Sequence, residues 1–271
     1  MRRMMRRTLT AEECRLIQPP RVSVCVPYWN RRAALEQMLD DLHAKYGSED
    51  RWVEVSICDD GSGRPGESVA EILSADNSRR GSRWVGLAIT SATLPEHDFP
   101  RCSALAINVA VESSTAPIVV IQNPETTHRT NSVLPMIACE VEGDASAYAI
   151  ASCWDIMSRS WYEHPHHRPK MMHWCAGMSR SMWSKAGGID IGLMDGHCYE
   201  DNDLRNRVHR AGARFVPLEQ LVVEHHKDMQ AKYVGESGAR DAWNPKFVSR
   251  NRDRYLSVWG KYWPDHGGDG E

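Results

Sequence analysis

The chain has 271 residues, 41% of them hydrophobic and 25% charged, with a formal net charge of −3. That composition supplies a sizeable core, which sets disorder aside, and it carries no overall basic field that would single out nucleic acid or an anionic membrane as the partner. No stretch reaches the roughly 18 consecutive apolar residues of a membrane span, and Met1-Arg2-Arg3-Met4-Met5-Arg6-Arg7 is not followed by the apolar segment of a secretory signal, so a cytoplasmic protein without integral membrane contact is expected.

After a flexible head (1–20), Val22-Ser23-Val24-Cys25-Val26 stops at Pro27 and reads as a buried parallel strand. Arg31 to Lys45 places Ala34, Leu35, Met38, Leu39 and Leu42 at helical spacing, and Trp52 to Cys58 is a second apolar run ending in Asp59-Asp60-Gly61-Ser62-Gly63. Strand, helix, strand predicts a right-handed parallel crossover. Ser68 to Leu73 and Ser103 to Glu112 read as helices, and Trp84 to Ile89 and Ile118 to Ile121 as strands.

From Asn131 onward the pattern predicts a helix over Ser132 to Val141, a strand over Ala147 to Cys153, an irregular segment from Ser158 to Lys170, a helix opened by Tyr199-Glu200-Asp201-Asn202-Asp203, and a short strand Leu221-Val222-Val223 that delivers His225-His226. A C-terminal helical extension (231–271) packing on the main domain (21–230) is expected, with Asn251 to Gly260 helical. The fold class is α/β, a mostly parallel central sheet flanked by helices in one compact domain. The eight cysteines are scattered without a C-x-x-C pair, which favours buried free thiols over a disulfide framework.

Polar or acidic residues sit at the carboxyl ends of several strands, where open α/β sheets place their ligands. Asp59 and Asp60 are either a polar turn or carboxylates that hydrogen-bond a nucleobase imide and a ribose hydroxyl. Asn123-Pro124-Glu125 is either a turn or a site in which Glu125 gives a hard oxygen ligand to Mn²⁺ or Mg²⁺ while Asn123 supports it. His225 or His226 would complete that metal shell, and imidazole beside carboxylate favours Mn²⁺. Glu200-Asp201 caps a helix, or Asp201 is a general base that takes a proton from an attacking hydroxyl. His164, His166, His167 and His173 match no zinc-finger spacing and read as an acceptor-contacting or lid loop.

Taken together, Val22 to Asn30, Cys58-Asp59-Asp60-Gly61-Ser62, Arg101 to Ala110, Asn123-Pro124-Glu125, Trp174 to Asp190 and Glu200-Asp201 resemble, in order, the motifs of family 2 glycosyltransferases, which have the GT-A fold. Asn-Pro-Glu stands where most members carry Asp-x-Asp. The resemblance implies a metal-dependent, inverting transfer of a sugar from a UDP-sugar donor to an acceptor hydroxyl. It implies Asp201 as base with Glu200 beside it, and Pro27, Tyr28, Asn30, Asp59, Asp60, Arg101 and Asn123 around the nucleotide. Trp174, Gly177, Gly188 and Asp203 would surround the sugar or acceptor, and Glu125 with His225 or His226 the metal. The Gln-x-x-Arg-Trp signature of processive synthases is absent, so a single addition is expected.

The acceptor is a saccharide or glycoconjugate, or DNA bearing hydroxylated bases reached by Arg205, Arg207, Arg210 and Arg214 and by Arg250, Arg252 and Arg254. Two rivals stand beside this reading. A nucleotide-sugar-forming nucleotidyltransferase would need a Gly-rich, Lys-bearing loop after the first strand, and a non-catalytic nucleotide or sugar-binding module would need neither Asp201 nor Glu125.

Overall fold

The computed structural model describes residues 22–48, 51–77, 83–96, 102–196, 198–226 and 245–260. The expected head and most of the expected C-terminal extension lie outside the described residues.

Strand β1 (Val22–Tyr28) is buried along its whole length. Its alternate residues Val22, Val24, Val26 and Tyr28 enter one core and Cys25 enters the other, as period-two side chains on a sheet covered on both faces must. Helix α1 (Arg32–Tyr46) returns the chain to β2 (Val53–Asp59), and α2 (Val69–Asn77) returns it to β3 (Ala88–Thr93). The ladders β1–β2 and β2–β3 are parallel. Helix α3 (Ala104–Glu112) then crosses to β4 (Ile118–Gln122), which pairs in parallel with the other side of β1. The sequence places the third strand early: it starts at Ala88, and Trp84 lies buried in the turn before it.

Pro27 does not end β1. The β4 ladder stops at Cys25↔Ile121 while β2 pairs on to Tyr28↔Asp59, so the missing N–H of Pro27 falls where β1 has a neighbour on one side only. Beyond Cys25 the carboxyl ends of β1 and β4 therefore separate, and the chain order reverses at that point, a crevice of the kind in which open α/β sheets bind ligands.

Past β4 the sheet is mixed. It runs β3-β2-β1-β4, then β8 (Cys175–Ser179), β6 (Ala147–Asp155), β9 (Arg214–His225) and β5 (Thr126–His128), with β7 (Ser160–Glu163) on β6. The pairs β4–β8, β6–β8, β6–β7 and β5–β9 are antiparallel and β6–β9 is parallel. Two sequence expectations are corrected here. The segment read as irregular holds β7 and a bridge between His164 and Arg168, and the short strand at Leu221–Val223 belongs to a 12-residue strand with a register shift opposite Ala151 and Ser152.

Helices α1, α2 and α4 (Val133–Gly143) cover one face, and α3, α5 (Arg180–Ala186) and α6 (Glu200–Arg210) cover the other. Helix α7 (Pro245–Trp259) packs on the short 3₁₀ turn Ile191–Leu193. Six described cysteines are free thiols, five of them buried. Cys139 is disulfide-bonded, which corrects the all-thiol expectation at that residue. Among the described residues no helix is long and apolar enough to cross a membrane.

Candidate functional site

The crevice where β1 and β4 part has a volume of about 240 Å³. It is lined by Pro27, Tyr28, Trp29 and Arg31 from the end of β1, by Asp60 after β2, by Asn123, Pro124 and Glu125 after β4, by Cys102, Ser103 and Ala106 at the start of α3, by His173 and Trp174 before β8, and by Glu200 and Asp201 opening α6. Residues far apart in the chain thus meet at one edge of the sheet, with Glu125 and Asp201 bordering the same hollow.

Glu125 is 4% exposed. Burial opposes its ionisation, but the guanidinium of Arg31, with Nη1 2.7 Å from Oε1, and then His225 hold its carboxyl down at about 2. His225 is itself buried. Its Nδ1 lies 3.1 Å from Asp155 Oδ2, and its Nε2, without a hydrogen-bond partner among the described residues, lies 3.7 Å from Glu125 Oε1. Asp155 is likewise held at about 2: burial raises it, and Ser158 and His225 outweigh burial. A carboxylate behind an imidazole that turns its other nitrogen toward a second carboxylate is the usual support of a metal-ligating histidine. The neighbouring His226 is turned away, its Nε2 2.7 Å from Thr127 Oγ1 and its backbone N–H donating to the Glu125 carbonyl at 2.9 Å. Among the described residues no group of three or more His, Cys, Asp or Glu side chains is set to enclose a metal ion.

Glu200 and Asp201 begin α6 directly after two residues in the left-handed region, Cys198 at φ 64° and Tyr199 at φ 74°. Such conformations cost about 1–3 kcal/mol each in non-glycine residues and persist only when neighbours impose them. Here α7 imposes them: Asn251 donates to the carbonyls of Leu193 and Cys198, both at 2.9 Å, and Tyr255 packs 5.5 Å from the Tyr199 ring. Asp201 keeps 31% of its side chain exposed, and its Oδ1 accepts from His173 Nε2 at 2.9 Å. Burial, then the Asp201 charge, push the Glu200 carboxyl up, whereas His173 draws the Asp201 carboxyl down against burial.

Besides His225 and His226, five described positions predicted from the sequence do not line the crevice. Asp59 is fully buried, its Oδ1 accepting from Ser62 N–H at 2.8 Å and its Oδ2 from Val69 N–H at 2.9 Å, so it ties the turn after β2 to the start of α2. Asn30, at φ 46°, braces the same turn through Ser62 and Arg64. Gly177 lies inside β8, where a Cβ would meet Ile137 at 2.3 Å, so its smallness lets α4 seat on the sheet. Gly188, at φ +66°, meets Asn108 beyond α5. Asp203 is 1% exposed and is spent on Asp190 N–H, Arg207 and Trp259. Arg101 lies outside the described residues.

Tyr28 borders the crevice, and its hydroxyl donates to the Glu67 carbonyl at 2.5 Å. Trp174 stacks on Tyr162 at 4.9 Å and stands edge-on to His225 at 5.1 Å, a rigid apolar wall beside Glu125. Sequence reasoning missed Arg31, Asp155 and the place of His173, which it grouped with three histidines of the β7 hairpin that do not line the crevice. The available signal was the adjacency of His173 to Trp174.

No protein-family model matches the chain, and no curated protein sequence does. Solved structures do. The mannosyltransferase PcManGT from Pyrobaculum calidifontis, in complex with GDP-Man and Mn²⁺, is similar over 91% of this chain and 74% of its own, with a TM-score of 0.56 at 18% identity. S. aureus TarS 1–349 is similar over 88% and 72%, with a TM-score of 0.60 at 12% identity. GalNAc-T7 with UDP, GalNAc and Mn²⁺ is similar over 76% and 43%, with a TM-score of 0.55 at 11% identity. The chain has the GT-A fold. At these identities the likeness is one of architecture, and activity has to be argued from the crevice.

Proposed function

We propose that this chain is a metal-dependent inverting glycosyltransferase that moves a sugar from a nucleoside-diphosphate donor, a UDP-sugar, to an acceptor hydroxyl in a single addition. The observation that carries the reading is that Asp60, Glu125, Arg31 and Asp201 border one crevice at the reversal point of the sheet. The neighbours support it in kind, since PcManGT was solved with GDP-Man and Mn²⁺ and TarS with UDP and with UDP-GlcNAc.

Glu125 borders the crevice and the buried His225 Nε2 lies 3.7 Å from its Oε1, two ligand atoms that fit a cation shared between the protein and a diphosphate rather than a closed structural site. Mn²⁺ suits the carboxylate–imidazole set, with Mg²⁺ as substitute, and bound there it would neutralise charge on the leaving diphosphate. His226, hydrogen-bonded to Thr127, is set aside as a ligand. Arg31 offers the diphosphate a second positive charge, Asp60 an acceptor for base or ribose, and Trp174 a flat apolar wall for a sugar ring. Asp201, kept ionised, takes the acceptor proton as the hydroxyl attacks the anomeric carbon from the face opposite the leaving group, which gives inversion.

For the acceptor, a saccharide or glycoconjugate is preferred to DNA. The arginines invoked for DNA are largely engaged: Arg205 donates to the Lys170 carbonyl, Arg207 pairs with Asp203, Arg214 with Asp144, Arg250 with Asp195 and Arg254 with Asp190. Duplex DNA binding that weakens steeply with salt would reverse that preference. The nucleotidyltransferase rival is disfavoured because the residues after β1 pass straight into α1 with no Gly-rich loop.

A screen of nucleotide-sugars for hydrolysis with and without Mn²⁺ tests the proposal. At least one UDP-sugar is expected to release UDP faster with Mn²⁺. Hydrolysis of none, in the presence of either metal, would overturn it.

A further inference from the structure

We infer that His173 is the positioning residue for Asp201: its Nε2–H holds Oδ1 and leaves Oδ2 as the one basic oxygen turned to the acceptor. The inference rests on the reading of Asp201 as the base.

His173 is 3% exposed, lines the crevice, and lies 2.9 Å from Asp201 Oδ1. The Asp201 side chain makes no other hydrogen bond among the described residues, so Oδ2 is the atom left to accept a proton. The loop that carries His173 is fixed at two points. Met172 N–H donates to the buried Glu163 carboxylate at 3.0 Å, and Arg205 Nη1 donates to the Lys170 carbonyl at 2.8 Å. Arg205 lies one turn after Asp201 on α6, so the helix that carries the base also grips the loop that carries its partner.

The neighbouring Glu200 makes such a partner necessary. Two adjacent carboxylates facing one hollow repel, and that repulsion alone would raise both. A donor aimed at Asp201 and not at Glu200 breaks the symmetry. Burial pushes His173 toward the neutral form, but the Asp201 carboxylate and its hydrogen bond, with Glu200 behind, push it up, so the pair settles as a charge-assisted bond. The other titratable groups facing the two carboxylates are Arg205, Cys102, Cys198 and Tyr148, and burial pushes both thiols and the phenol up, leaving them neutral. A bland alternative has His173 merely anchoring its loop to α6. The two roles differ in what they move, since anchoring affects stability and KM whereas positioning affects kcat and the acid limb of the pH profile.

The test measures turnover of the nucleotide-sugar substrate across the acid range, with UDP affinity by calorimetry, for the parent, His173→Ala, His173→Gln and Asp201→Asn. His173→Ala is expected to lower kcat about thirtyfold, part of the roughly 10²–10⁴-fold that a positioned base supplies, with UDP affinity unchanged. Its acid limb moves up by about one pH unit, because the Asp201 carboxylate loses its partner while Glu200 stays. His173→Gln, which keeps an N–H donor near Nε2, recovers most of the kcat but not the acid limb, and it decides the matter should His173→Ala fail to fold. An inactive Asp201→Asn together with an unmoved acid limb in both His173 variants overturns this inference alone. Parent-like turnover by Asp201→Asn removes the base reading and this inference with it.

Discussion

The turn after β2 and the start of α6 each present two adjacent carboxylates, and the structure uses the two pairs differently. At Asp59-Asp60 the first carboxylate is fully buried and accepts two backbone N–H groups, while the second borders the crevice. At Glu200-Asp201 both border the crevice, and a histidine from 27 residues earlier in the chain favours one of them. The geometry of the elements accounts for the difference. Asp59, the last residue of β2, turns into the core that Val53, Val55 and Ile57 enter, and Asp60 lies beyond the strand end, whereas successive residues at a helix start are only about 100° apart and can face one hollow together.

That contrast breaks or sharpens under mutation. The largest effect is expected at Asp201→Asn, which removes the base and lowers transfer on the order of 10²–10⁴-fold while leaving UDP affinity as in the parent. Transfer at the parent rate would place the base elsewhere.

Next is Asp59→Ala, which strips one buried and one part-buried N–H group of their acceptor and costs about 3 kcal/mol of stability by denaturant titration, with UDP affinity of the folded fraction retained. Asp60→Ala should show the reverse, with UDP affinity about tenfold weaker and a smaller loss of stability than Asp59→Ala. Equal effects from the two would dissolve the comparison.

Glu125→Ala is expected to reduce UDP affinity about tenfold when Mn²⁺ is present and much less when it is absent. An unchanged metal effect would contradict the ligand assignment.

A pH effect on stability concerns Glu163, whose carboxyl burial pushes up to about 7. Its folded-state value lies above that of the unfolded chain, so the stability it contributes is present below the unfolded value and is lost as pH rises toward 7. Glu163→Gln should flatten that decline, by on the order of 2 kcal/mol between pH 4.5 and 7.5. A parent stability that is flat over the same interval would contradict it.

The parallel half of the sheet was legible because its strands are buried on both faces and read as apolar runs, and because α1 shows its core side at helical spacing. Even Asp59 was decodable. Val53, Val55 and Ile57 enter one core, so counting on by two turns Asp59 into that core.

The antiparallel half was less legible. Strand β9 contains Pro217, Glu219 and Gln220 around its register shift, which breaks the alternation, and β7 mixes aromatic and acidic residues in four positions. Of the site, Glu125 could be named from its place after a strand, Asp201 from the start of a helix, and Trp174 from the family resemblance. The roles of Arg31 and His173 could not, because they come from partners remote in the chain, Glu125 and Asp201, which only the folded sheet brings near; adjacency to Trp174 marks the place of His173 but not its partner.

The central claim is that the hollow between the ends of β1 and β4 receives a nucleoside diphosphate. A crystal structure determined with UDP and Mn²⁺ tests it most directly. The account predicts the diphosphate beside Arg31 and Glu125 with the nucleoside toward Asp60. UDP seated elsewhere, with this hollow left to solvent, would contradict it.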